Sequence, residues 1–138
     1  MTRNLYLGAD VERLVAELGT ATDDAGIVRA LSRGMAAVAD VVAATDFSVR
    51  AGLLADEIAA AQPDLIGLQE VALWRRGPVS AVGELDAAEV EYDFLELLGE
   101  ALGARGCRYD VAASAVRADV ECPAYREDGE PGARDRRL

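Results

Sequence analysis

The chain has 138 residues, a hydrophobic fraction of 51% and a formal charge of −11 at pH 7, which fits one globular domain with a modest core. Aromatic residues make up only 5%, so that core is expected to be thin, alanine-rich and helix-biased. The charge argues against non-specific binding of nucleic acid, which draws on clustered lysine and arginine. No apolar run is long enough to span a bilayer and no leader pattern is present, so the expectation is a cytoplasmic chain with no membrane partner.

In chain order, Arg3-Asn4-Leu5-Tyr6-Leu7 reads as a first strand with an amide among apolar neighbours, broken by Gly8. Asp10 predicts the cap of a short helix through Leu18, and Gly19 to Gly26 a polar connection. Ile27, Leu31, Met35, Val38 and Val42 then recur at helical spacing on one face. Asp46 predicts the cap of another helix, with Ala51, Leu54, Ile58 and Ala61 inward and Arg50, Asp56 and Glu57 toward water. Pro63 ends it by disfavouring helical geometry at Gln62.

The segment Asp64-Leu65-Ile66-Gly67-Leu68-Gln69-Glu70-Val71 reads as a short buried strand that ends on a carboxylate. Open α/β sheets place ligand sites beyond the carboxyl ends of such strands, which makes Glu70 the first candidate for chemistry. If the strands bearing Asn4 and Glu70 pair in parallel, both side chains reach the same edge. Two oxygen donors there suit a hard cation such as magnesium, which is commonly held by one or two carboxylates and keeps several waters. The following Trp74-Arg75-Arg76-Gly77-Pro78 is an aromatic and cationic loop, read as a packed tryptophan and solvated arginines.

Glu91 to Arg105 is the clearest amphipathic helix, with Phe94, Leu97, Leu98, Ala101 and Leu102 inward, Glu96 and Glu100 outward, and Gly106 as its stop. Arg108 to Ala113 offers a further strand, and Cys107 and Cys122 read as two thiols. From residue 114 to 138 the composition predicts a charged, disordered tail, which leaves 1–113 as the folded part.

At two blocks the chain resembles the endonuclease/exonuclease/phosphatase superfamily of deoxyribonuclease I-like hydrolases. They are Thr2-Arg3-Asn4-Leu5-Tyr6-Leu7-Gly8-Ala9-Asp10 and Ala59-Ala60-Ala61-Gln62-Pro63-Asp64-Leu65-Ile66-Gly67-Leu68-Gln69-Glu70-Val71. The second is the more specific: a helix, Pro-Asp, an apolar strand and Gln-Glu-Val. The similarity runs from Met1 to about Ala113.

The resemblance implies the N-terminal half of a layered α/β/β/α sandwich with a mixed sheet. It also implies a divalent-metal-dependent phosphoesterase of nuclease or phosphatase type, with metal ligands Glu70 and Asn4 and magnesium or manganese as cofactor. The substrate class would be a phosphoester or nucleic acid. The family's histidine base has no counterpart, since the chain contains no histidine, and its later aspartate and asparagine blocks are not matched. No catalytic residue is therefore assigned, and the expectation is a truncated, catalytically incomplete domain that binds its ion weakly and self-associates through an exposed sheet face. The alternative is a noncatalytic α/β interaction module.

Overall fold

The computed structural model describes residues 1–10, 22–78, 85–124 and 134–137. They form a mixed α/β arrangement of three helices and two small sheets. The helix expected to follow the Asp10 cap and run through Leu18 falls outside the described residues.

Strand β1 (Thr2–Asn4) pairs in parallel with β2 (Gly67–Gln69), Asn4 standing opposite Gln69. Both are shorter than the sequence pattern suggests because the backbone turns left-handed after each, with φ 52° at Tyr6 and 54° at Glu70. Side chains on a strand alternate between faces. Arg3 and Leu68 are half-buried, whereas Thr2, Asn4, Gly67 and Gln69 lie exposed on the other face. That open face is polar, and Leu65, expected in a buried strand, is 72% exposed just before β2.

Helix α1 (Asp24–Ala44) starts at Asp23, whose carboxylate accepts from Gly26 N at 2.6 Å. Met35, Val38 and Val42 of the expected stripe are buried, and Ile27 at its outer end is exposed. Helix α2 (Phe47–Ala61) is capped by Asp46, whose side chain accepts from Val49 N, and stops at a left-handed Gln62 before Pro63. Its buried face is Phe47, Ala51, Ala55 and Ile58, while Ala61, expected inward, is exposed. Helix α3 (Phe94–Gly103) is three residues shorter at its start than its periodicity predicts. Asp93 caps it by accepting from Leu95 N and Glu96 N, and the preceding residues belong to a strand.

The second sheet has the order β4-β3-β6-β5, with antiparallel pairings throughout. Its strands are β3 (Leu73–Gly77), β4 (Glu89–Asp93), β5 (Glu121–Ala124) and β6 (Arg134–Arg137). Two of them lie within the segment 114–138 whose composition reads as a tail, so strand pairing extends there. Residues 108–113, expected as a strand, form no regular element.

The largest apolar cluster joins Leu5, Met35, Val42, Phe47, Trp74 and Phe94 across the elements, and the Phe47 and Phe94 rings stack with centroids 3.7 Å apart. A smaller cluster of Ala55, Ile58, Leu98 and Leu102 joins α2 to α3. The larger cluster takes in Leu5, with Leu7 against it, just beyond the carboxyl end of β1, whereas the smaller is flanked by Met1 and Ile66 at the amino ends of β1 and β2. No helix among the described residues is long and apolar enough to cross a membrane.

Candidate metal centre

Because β1 and β2 run in parallel and in register, the residues at and just beyond their carboxyl ends share one edge. Asn4 ends β1 and Glu70 follows β2, and the structure brings them together. Asn4 Nδ2 donates to Glu70 Oε1 at 2.7 Å, and the backbone N–H of Leu7 donates to Glu70 Oε2 at 3.0 Å. The N–H of Tyr6 donates to Asn4 Oδ1 at 2.7 Å, the Asx-turn geometry of an amide closing on the backbone two residues ahead. Only one orientation of the Asn4 amide satisfies both contacts, because the flipped form would set its NH2 against the Tyr6 N–H and its oxygen against the carboxylate.

The left-handed backbone at Tyr6 and Glu70 costs energy in residues with a Cβ, and such outliers concentrate where the surroundings fix them for a purpose. Here they aim the Leu7 amide and the Glu70 carboxylate at each other. Gly8 then continues the turn at φ 109°, where an added Cβ would sit 3.2 Å from Val42 Cγ2. Its carbonyl accepts from Thr45 Oγ1 at 3.2 Å, which fastens the turn to the end of α1.

Two side chains hold the carbonyls of the same turn. Arg50 Nη2 donates to Leu5 O and, at 3.2 Å, to Tyr6 O. The Arg50 guanidinium carbon lies 5.5 Å from the Tyr6 ring centroid and 5.1 Å from that of Phe47, within cation–π range. Trp74 Nε1 donates to Leu7 O at 2.9 Å from a side chain only 2% exposed. Trp74 is thus packed, as expected, and has a backbone partner as well. Arg50, expected to face water, is half-buried instead. Its position one helical turn after Phe47, on the flank of the buried stripe, is the signal that marks it.

Hydrogen bonds from Asn4 and then Leu7 hold the Glu70 carboxyl below the usual carboxylate range, against a smaller opposing effect of desolvation. The group is therefore anionic at neutral pH, and it is exposed. Each of its oxygens and Asn4 Oδ1 accepts one bond, which leaves one lone pair apiece. All three are hard oxygen donors, the chemistry that magnesium and manganese accept. Among the described residues no three carboxylate, cysteine or histidine side chains cluster as a metal site. A cation here would therefore keep most of its water shell, with Glu70 as its one charged ligand.

Among the described residues Arg76 pairs with Glu89, Arg3 with Glu57, and Arg105 with Asp56 at 2.6 Å. Cys107 and Cys122 are not joined in a disulfide. No family model, curated protein or solved structure matches the chain.

Proposed function

We propose that this chain carries the metal-binding rim of a divalent-metal-dependent phosphoesterase of the endonuclease/exonuclease/phosphatase type, in the N-terminal half of an α/β/β/α sandwich, and is catalytically incomplete alone. The observation that carries the proposal is the meeting of Asn4 and Glu70 at the carboxyl edge of two parallel strands, with Leu7 N–H on the second carboxylate oxygen. Glu70 would hold magnesium or manganese, and Asn4 would orient the carboxylate and offer its remaining oxygen lone pair. A divalent cation at such a rim supplies Lewis-acid polarisation of a phosphoryl oxygen. The chain's own contribution is to keep Glu70 ionised and to fix its two oxygens in place. The histidine base that the resemblance implies is not in the sequence, so no hydrolytic step is assigned to these residues.

With one charged ligand, affinity for magnesium is expected to be roughly millimolar or weaker. The test is phosphate binding followed by the amide resonances of Asn4 and Leu7. Inorganic phosphate is expected to shift them only when magnesium is present, and not in Glu70→Gln. Shifts without metal, or shifts that survive Glu70→Gln, would overturn the proposal. The second reading, a noncatalytic α/β module, is favoured by the same two hydrogen bonds, which tie the exit of β1 to the end of β2 through the chain's own groups. It predicts that Glu70→Gln changes stability while magnesium changes nothing.

A further inference from the structure

The turn formed by Leu5, Tyr6 and Leu7 has two sides with different partners. Its amides serve the candidate site, Tyr6 N–H on Asn4 Oδ1 and Leu7 N–H on Glu70 Oε2. Its carbonyls face the other way: Leu7 O takes the Trp74 indole, and Leu5 O and Tyr6 O share Arg50 Nη2. Once Tyr6 turns left-handed the chain leaves the sheet, so neither of the last two carbonyls can continue the ladder with β2. The contact at Leu5 O is part-buried and the one at Tyr6 O exposed; a carbonyl shielded from water and left without a donor is costly, and a guanidinium supplies two protons from a single nitrogen.

We propose that Arg50 is a positioning residue for the Asn4–Glu70 pair: by holding the carbonyl side of the left-handed turn, it aims the Tyr6 and Leu7 amides at the two side chains. The inference rests on the reading of that pair as the functional rim. Arg50 makes no hydrogen bond to either side chain: its Nη2 is spent on the two carbonyls, and its Nη1 is buried with no hydrogen-bond partner among the described residues. Its stem leaves α2 three residues after Phe47, and its guanidinium lies near the Tyr6 and Phe47 rings. Helix α2 is therefore the rigid element that sets the height of the turn above the sheet. A lysine keeps the charge but loses the planar fork and reaches less far, so it is expected to replace Arg50 only in part.

The test uses the full chain and two readouts that need no metal: the acid titration of the Glu70 carboxyl by carbon NMR and the hydrogen-exchange rate of the Leu7 amide. In Arg50→Met, Glu70 is expected to titrate closer to an ordinary glutamate, and the Leu7 amide to exchange about tenfold faster, the loss of one net hydrogen bond. The Ile58 and Leu98 amides, in the α2–α3 core, are expected to keep their protection, and Arg50→Lys to fall between native and Arg50→Met. Unchanged titration and exchange in folded Arg50→Met would overturn the proposal. So would a titration shift with Leu7 protection unchanged, because that is the mark of a through-space charge effect alone. Where Arg50→Met loses Ile58 and Leu98 protection as well, Arg50→Lys is judged by the same two criteria. A native chain that binds no metal would defeat the phosphoesterase reading while leaving these two results to decide the role of Arg50.

Discussion

Replacing Asn4 by alanine removes the donor to Glu70 and the acceptor for Tyr6 N–H in one step. A net intramolecular hydrogen bond contributes about 0.5–1.5 kcal/mol, and the exposure of both groups puts these two near the low end, so the expected loss is about 1 kcal/mol. For a chain of this size that is a fall in Tm of roughly 3–5 °C. The loss depends on pH with a definite sign. The folded-state pKa of Glu70 is depressed, by Asn4 first, so its stabilisation is fully present above the ordinary glutamate value of about 4.3 and is lost as pH falls through the lower folded value. Urea midpoints of native and Asn4→Ala protein should therefore differ at neutral pH. The gap should narrow in acid to the part owed to Tyr6. Equal midpoints at neutral pH, or a gap constant through the acid range, would refute the coupling of Asn4 to an ionised Glu70.

Phe94 is fully buried and stacked on Phe47, so Phe94→Ala is expected to cost about 3–5 kcal/mol in urea unfolding, a large share of a typical stability of about 5–15 kcal/mol. A loss under about 1 kcal/mol would mean that this ring pair is not the centre of the core. Trp74→Phe keeps an aromatic ring but leaves Leu7 O without its indole donor. It should cost about 1–2 kcal/mol by circular-dichroism melting, and unchanged stability would remove Trp74 from the account of the turn.

The parts of this architecture that follow from short-range rules were legible in the sequence. Asp46 and Pro63 bracket α2 because capping and pre-proline sterics act within a few residues, and the inward face of α3 follows from apolar spacing alone. The meeting of Asn4 with Glu70 was also legible, since parallel pairing puts both strand ends on one edge. The strand lengths were not. Left-handed turns at Tyr6 and Glu70 are stabilised by Arg50, Trp74 and Leu7 N–H, contacts that all join residues more than forty positions apart. No local propensity encodes them. For the same reason Arg50 read as a solvated charge: its partners are backbone carbonyls of the turn that follows β1, far away in sequence, which leave no trace in residue type. Arg134–Arg137 reads as tail because all of its residues are charged, and Glu121–Ala124 because it lies beyond Ala113, where the resemblance ends. Their pairing is decided by backbone far from them in sequence or by each other: β6 pairs with β3, and β5 pairs with β6.

Paramagnetic broadening by manganese of the assigned amide spectrum tests the metal rim most directly. Broadening is expected to begin at Asn4, Leu7 and Glu70 at roughly millimolar ion, and Glu70→Gln is expected to abolish it there while the fold is retained. Broadening that centres on another acidic stretch such as Asp23 and Asp24, or that persists at Leu7 in Glu70→Gln, would contradict it.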